Sequence, residues 1–359
     1  MREDAALLAE AVAIGDKLAR EAVWHADRCT WIAAHREPGP HGGAMAYTLE
    51  SSLYGGTAGI ALFLARLARV SGDKAHARAA RGAIRHALRH AWHVDEAKTL
   101  VAAQTGGEAR FGPYLGTLGV AWAADQVGES AHARRLRTKV LASRRRAHGW
   151  DLVGGTAGAL ALLAGTDEAD TLAADLRPGE ARVAGFAHGL SGAAYALSFV
   201  DPSAAREAFG REHALPRERE SWCHGAPGMG LARALAMPRV PGLAPEVRAL
   251  RAQAQARLDA MLASPGDPFH LCCGVAGVAA CVHVMDEALG DPGGLARARA
   301  VARWGLERYQ AREPWRSWPT GALYDAHPAL MQGLAGIGHW LLELARPGEV
   351  PSLLAPGPA

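Results

Sequence analysis

The sequence predicts an all-α protein, an α/α toroid (barrel) of seven helical-hairpin repeats. Apolar residues recur at helical spacing, the alternating runs typical of strands are nearly absent, and a glycine pair followed by an apolar helix occurs seven times. The last repeat, GLAGIGHWLLELA, is as apolar as the middle ones. Because an open solenoid ends in polar caps, we expect a ring that closes on itself.

The helices are predicted from windows in which one face is apolar and the opposite face is charged. In the segment 73–92, Ala80, Ile84 and Ala87 share an apolar face, and Arg and His occupy the other. Similar patterns predict helices over 3–28, 58–70, 117–127, 130–143, 244–262 and 295–311.

Each repeat starts with a turn that contains two glycines spaced G-x-x-G. Turns one to seven carry the pairs Gly56 and Gly59, Gly116 and Gly119, Gly155 and Gly158, Gly189 and Gly192, Gly225 and Gly228, Gly274 and Gly277, and Gly333 and Gly336. Successive first glycines are 60, 39, 34, 36, 49 and 59 residues apart, which leaves room for two helices each time. We expect most of these glycines to serve close packing, and the helix N-termini to gather at one rim.

The composition narrows the class of protein. Lys and Arg exceed Asp and Glu by 39 to 36, so the net charge of +3 argues against nucleic-acid binding. The start, MREDAALLAE, lacks the features of a signal peptide, and no apolar run reaches the ~18 residues of a membrane span. Five cysteines, two of them adjacent, form no disulfide framework. We expect one toroidal domain over residues 1–346, a disordered tail over 347–359, and a cytoplasmic location.

Turns four, five and six carry additional polar residues, in AHGLSG, RESWCHGAPG and HLCCGVAG. If equivalent turns line one rim, the sulfurs of Cys223, Cys272 and Cys273 converge there. Three thiolates are a donor set for tetrahedral zinc, and three protein ligands leave a fourth position open. The alternatives are simple core packing or a disulfide between the adjacent cysteines. Cys29 and Cys281 lie within helical patterns and are interpreted as core or surface thiols.

The motifs W-C-x-G-x-P-G, A-H-G-x-x-G and C-x-G-x-x-G together resemble those of the lanthionine synthetase C (LanC-like) family, the cyclases of lanthipeptide biosynthesis. The resemblance runs from LYGGTAGIALFL, residues 53–64, to MQGLAGIGHW near the end. It implies an α/α toroid with one central zinc ion. It also implies that Cys223 and Cys272 are zinc ligands and that Cys273 replaces the histidine of the more usual C-H-G. This sequence is similar in that respect to class II synthetases whose cyclase domains read C-C-G.

The resemblance also implies four catalytic residues. His188, from A-H-G, matches the family's acid–base histidine, and Arg219 matches its active-site arginine. Asp151 matches an aspartate that precedes the third turn, and His224 stands where relatives have tyrosine or histidine. From the residues alone, Asp151 could instead be a helix N-cap and Arg219 a solvated charge.

The implied reaction adds a peptide cysteine thiol to dehydroalanine or dehydrobutyrine in the same peptide. The implied partners are a dehydrated precursor peptide and a separate dehydratase. We expect no dehydratase segment in this chain, which is either a free-standing cyclase or a domain excised from a larger synthetase. Three thiolates make zinc electron-rich, which predicts a reactive, less selective cyclase. The alternatives are a LanC-like glutathione transferase, a non-catalytic peptide-binding toroid, and a glycosidase, for which only Asp151 is well placed.

Overall fold

The computed structural model describes residues 2–36, 43–91, 111–142, 150–176, 179, 181–217, 219–264, 266–309, 318–320 and 326–358. In these ranges the chain forms fourteen α-helices, so the all-α prediction is confirmed. In chain order they are α1 (Arg2–Glu21), α2 (Thr57–Ser71), α3 (Lys74–His90), α4 (Thr117–Val127), α5 (Ser130–Ala142), α6 (Thr156–Leu162), α7 (Asp167–Asp175), α8 (Leu190–Leu197), α9 (Pro202–Arg211), α10 (Gly225–Ala236), α11 (Ala244–Ala263), α12 (Val275–Ala288), α13 (Gly294–Tyr309) and α14 (Leu334–Ala345).

The helices form two concentric rings. The even-numbered helices are the inner ring, and each begins at one of the seven glycine turns. They are almost wholly buried and rich in Ala, Gly and Leu. The odd-numbered helices pack outside them as amphipathic partners; α3, for example, buries Ala80, Ala83 and Ile84 and starts at Asp73, which accepts a hydrogen bond from the Ala75 N–H. The architecture is therefore the predicted α/α toroid.

The two ends of the chain close the ring. Helix α1 packs against α14, and α14 also packs against α2. The outer partner of the last inner helix is thus the first helix of the sequence, so the seventh hairpin is assembled from both ends of the chain. None of the described helices is long and apolar enough to cross a membrane.

The second glycine of each turn is required by a close approach of the backbone to itself. A Cβ atom built at any of these seven positions would lie 1.5–2.2 Å from the carbonyl oxygen of the residue six places earlier, at Gly59, Gly119, Gly158, Gly192, Gly228, Gly277 and Gly336. Any other residue would have to displace this backbone segment. The prediction that the glycines serve packing is confirmed for this position of the motif.

Backbone hydrogen bonds connect neighbouring turns around the ring. The N–H groups donate to carbonyl oxygens of the next turn at 2.8–3.1 Å, in the order Tyr54 to Tyr114, Tyr114 to Val153, Leu152 to Ala187, Ala187 to Cys223, Cys272 to Met331, and Met331 to Tyr54. Among the described residues, the junction of turns five and six has no such bond. Cysteine side chains meet there instead.

Two short antiparallel hairpins interrupt the helical pattern after α1. They pair β1 (Val23–His25) with β2 (Arg28–Thr30), and β3 (Ile32–Arg36) with β4 (Ala44–Thr48). The helix predicted over 3–28 therefore ends at Glu21. Cys29 lies on β2 rather than in a helix, with its buried thiol 3.5 Å from the Ala79 carbonyl oxygen. Cys281, by contrast, is a buried core thiol in α12, as predicted.

The C-terminal segment is ordered where we expected disorder. Val350, Leu353 and Leu354 are buried, with at most 5% of each exposed. The tail's carbonyl oxygens accept hydrogen bonds from the inner ring: Tyr114 Oη donates to Leu353 at 2.7 Å, Trp222 Nε1 to Leu354 at 2.8 Å and Tyr195 Oη to Pro356 at 2.7 Å. The segment is thus part of the core. The prediction was wrong because the Pro-rich composition of the tail does not show that buried side chains elsewhere in the chain donate hydrogen bonds to its carbonyl oxygens.

Ending the chain after Gly348 should lower the free energy of unfolding by about 3–6 kcal/mol. The deletion removes the buried side chains of Val350, Leu353 and Leu354, exposes the core surface that they cover, and leaves three buried donors without partners. Denaturant unfolding measures the change, and a chain lacking only Pro358 and Ala359 is the control, expected within about 0.5 kcal/mol of the full chain. Equal midpoints for the two deletions would show that the tail contributes nothing to stability.

Candidate active site

Turns five and six bring the three predicted sulfur ligands together. Cys223 and Cys272 are buried and Cys273 is half-buried, and all three are free thiols. The three thiols are close enough that each affects the ionisation of another, with Cys272 acting on both Cys223 and Cys273. The adjacent cysteines are therefore neither a disulfide nor unrelated core residues, and they lie at the junction where the backbone ring lacks its hydrogen bond.

The three thiols differ in acidity. The neighbouring thiols of Cys223 and Cys273, together with burial, raise the pKa of Cys272 well above the usual value. The pKa of Cys223 is lowered by Cys272 and by the Ser221 hydroxyl, whose oxygen lies 3.2 Å from the Cys223 sulfur. The pKa of Cys273 is lowered to about 4, mainly by Cys272, with His270 and Arg219 adding to the effect.

This donor set fits a zinc ion. Thiolates are soft ligands, and two of these sulfurs favour the deprotonated form that a metal needs. In tetrahedral coordination at about 2.3 Å the sulfurs would be about 3.8 Å apart. Within the described structure the three sulfurs do not all lie within 4.8 Å of one another. Sharing one zinc ion would therefore require at least one of these sulfurs to move closer to the others.

A second group with metal-ligand chemistry lies between α1 and α3. Candidate ligand atoms of Asp16, Asp73 and His76 are all within 4.8 Å of one another. Their contacts are those of a structural cluster: His76 Nε2 is 2.8 Å from Asp16 Oδ1, and Asp73 caps α3. The sequence motifs did not single out these residues, and none of the predicted site residues belongs to this cluster.

His188 and Asp151 form a hydrogen-bonded pair beside the sulfurs. His188 Nδ1 is 2.8 Å from Asp151 Oδ2, and the other carboxylate oxygen accepts the Gly154 N–H at 2.8 Å. The N-cap of α6 is Gly155, so Asp151 is not the helix cap that the sequence allowed. The carboxylate is fully buried, whereas the imidazole is 26% exposed. Asp151 therefore holds the ring by Nδ1 and leaves Nε2 for another partner.

His224 and Arg219 approach the same site from turn five. His224 is the N-cap of α10 and precedes Gly225, which has a left-handed φ of +68°. Its ring centre is 5.8 Å from that of His188. Turns four and five are close enough that a Cβ at Gly185 would lie 2.8 Å from His224 Cα. Arg219 is exposed, and its positive charge acts on Cys273. The structure thus gathers all seven predicted residues around one point of the rim.

The sequence motifs missed three side chains that contact the cysteines. Tyr54 donates from Oη to Cys272 Sγ at 2.9 Å, and Ser221 Oγ is 3.2 Å from Cys223 Sγ. Nδ1 of the buried His270 accepts the Cys273 N–H at 3.4 Å, and this ring helps to lower the pKa of the Cys273 thiol. Ser221 and His270 are near their cysteines in sequence and could have been suspected. Tyr54 lies in turn one, 218 residues from Cys272, so only the closed ring reveals its contact.

Comparisons with known proteins identify the family of this chain and a similar fold. Residues 47–355 match the family model described as lanthionine synthetase C-like protein. A solved structure titled nisin cyclase is similar in fold, with a TM-score of 0.55 and 16% sequence identity, over 82% of this chain and 88% of the other. A comparison with curated proteins finds no significant match.

In metal-free protein, iodoacetamide should alkylate Cys273 at nearly the same rate at pH 6 and pH 8. A pKa of about 4 keeps this sulfur a thiolate over that whole range. An ordinary cysteine with a pKa of 8.5 would react roughly 75-fold faster at pH 8 than at pH 6. Peptide mass spectrometry locates the label, Cys273→Ser identifies the Cys273 signal by its loss, and a steep rise in rate would contradict the low pKa.

Proposed function

Because the chain belongs to the lanthionine synthetase C-like family, we propose that it is a zinc-dependent lanthipeptide cyclase. It adds a cysteine thiol of a dehydrated precursor peptide to a dehydroalanine or dehydrobutyrine of the same peptide, which closes a thioether ring. The observation that carries the proposal is the gathering of three cysteine sulfurs beside a buried Asp–His pair. A separate dehydratase would supply the substrate, and a reducing compartment such as the cytoplasm would keep the thiols free.

Cys223, Cys272 and Cys273 would hold the zinc ion. When bound, zinc would stabilise the incoming peptide thiol as a thiolate near neutral pH, where a free cysteine is only ~3% ionised. Three thiolate ligands leave more electron density on the metal than two thiolates and a histidine would. That difference is the basis for the proposed high reactivity and low selectivity.

His188 is the proposed proton carrier. Attack of sulfur on the β-carbon forms the C–S bond and moves the π electrons of the dehydroamino acid into an enolate, whose α-carbon must gain a proton. Overall, one proton passes from the thiol to that carbon. His188 can carry it at Nε2, because Nδ1 is held by Asp151 and an imidazole titrates near neutral pH.

Arg219 and His224 are proposed to assist at the rim. The exposed guanidinium of Arg219 could steer the peptide or stabilise the enolate oxygen, and its charge already acts on Cys273. His224 lies beside His188 and could share proton transfer with it. A peptide-binding toroid without catalysis would have no need of this acid–base pair next to a nucleophile site.

Purified protein should contain about one zinc per chain, and Cys223→Ser should lose most of it. Serine removes one of three ligands while keeping the side-chain size. Cys29→Ser is the matched control, because its sulfur bonds only to the Ala79 carbonyl oxygen, to which a serine hydroxyl can also donate. Elemental analysis after dialysis measures the content. Equal zinc in both variants would contradict the assigned ligand set.

His188→Asn should slow ring closure by about 10²–10⁴-fold and leave the zinc content unchanged, since only the proton carrier is removed. The assay incubates a dehydrated peptide with each variant and counts closed rings by thiol alkylation and mass spectrometry. His132→Asn on the outer helix α5, whose side chain is 57% exposed, is the control and should act like the parent.

A parallel incubation of the same peptide with glutathione separates the cyclase from a glutathione transferase. Glutathione adducts without ring closure would overturn the proposed cyclisation, and closed rings without adducts support it.

A further inference from the structure

Each candidate zinc ligand is contacted by another polar side chain. Tyr54 Oη donates to Cys272 Sγ, Ser221 Oγ lies 3.2 Å from Cys223 Sγ, and His270 Nδ1 accepts the Cys273 N–H at 3.4 Å. Ser221 and His270 lie in the turns of their own cysteines, whereas Tyr54 reaches across from turn one. A sulfur that has lost its proton cannot donate, so the Tyr54 and Ser221 hydroxyls must donate to it when a metal is bound.

We propose that Tyr54, Ser221 and His270 are positioning residues that stabilise the three-thiolate ligand set, and that Tyr54 is the most important of them. This inference rests on the zinc site of the proposed function. Replacing a neutral histidine ligand by Cys273 adds one negative charge to the ligand set, and a buried charge must be compensated by hydrogen bonds. The Tyr54 and Ser221 hydroxyls supply that compensation at two of the sulfurs, and His270 lies beside the third and favours its thiolate form.

Tyr54 is the most important of the three residues because its hydrogen bond to sulfur is short and because Cys272 is the most buried of the three cysteines. Its hydroxyl lies 2.9 Å from Cys272 Sγ, and Cys272 is 5% exposed. Water therefore has little access to replace the phenol. Tyr54 is also held in place by its backbone, which donates from its N–H to Tyr114 and accepts at its carbonyl from Met331.

Tyr114 is a matched comparison for Tyr54. It occupies the same position, two residues before the first glycine, in turn two, and it is buried, whereas Tyr54 is half-buried. Its hydroxyl donates to the Leu353 carbonyl oxygen at 2.7 Å rather than to a sulfur. Phenylalanine at either position removes one hydroxyl and one hydrogen bond from the inner ring. Only the change at Tyr54 alters the surroundings of a ligand.

The experiment measures zinc affinity by competition with a chelator, and the absorption spectrum of the protein loaded with Co²⁺. Tyr54→Phe should weaken zinc binding about 10–100-fold, as is typical when a partner of a metal ligand is lost. It should also move the sulfur-to-cobalt charge-transfer band to longer wavelength, because the Cys272 thiolate loses its donor. Tyr114→Phe should leave both quantities at the parent value.

The outcomes separate this inference from the proposed function. If Tyr54→Phe matches the parent in affinity and spectrum, or if Tyr114→Phe changes them equally, the role of Tyr54 is overturned and the cyclase proposal stands. If the parent binds zinc and Tyr54→Phe responds as expected, but no ring is formed, the inference holds and the cyclase proposal fails. A parent protein that binds neither metal overturns both. Thermal unfolding of the metal-free variants verifies that each is folded.

Discussion

The structure depends on the close contact of seven turns around one ring. Each turn presses its second glycine against a carbonyl oxygen six residues earlier, and backbone hydrogen bonds join neighbouring turns at 2.8–3.1 Å. Side chains larger than hydrogen do not fit at these contacts. Because the turns are fixed to one another and not only to their own helices, residues far apart in sequence are held at defined positions on the rim.

The candidate site lies where this ring of backbone bonds is incomplete. Cys223 and Cys272 meet at the junction of turns five and six, so sulfur chemistry occupies the place of a backbone bond. A metal bound by both turns would tie them together as the other turns are tied. The buried carboxylate of Asp151, at turn three, fixes the imidazole of His188 in turn four, which adjoins turn five. Ligand and proton-transfer groups are thus placed by the same rigid scaffold, which is how preorganised sites achieve their geometry.

Both ends of the chain complete the fold. Helix α1 provides the outer partner of α14, and the C-terminal segment accepts hydrogen bonds from Tyr114, Trp222 and Tyr195 of the inner ring. Trp222 directly precedes Cys223, so the tail holds the side chain of the residue next to a candidate ligand. The stability of the toroid and the placement of the site are therefore linked through the tail.

The sequence by itself determined the helical class, the seven turns and the candidate ligands and catalytic residues, because glycine spacing, apolar periodicity and sulfur-bearing motifs are local patterns. Only the tertiary structure decided that Asp151 holds His188, that the tail is buried, that Cys29 lies on a strand, and that Tyr54 contacts Cys272. Apart from the short hairpin that contains Cys29, each of these depends on groups from separate turns or from the tail that meet in the closed ring. No local pattern carries that information, since the ring's closure, and not sequence spacing, sets the distance between such groups.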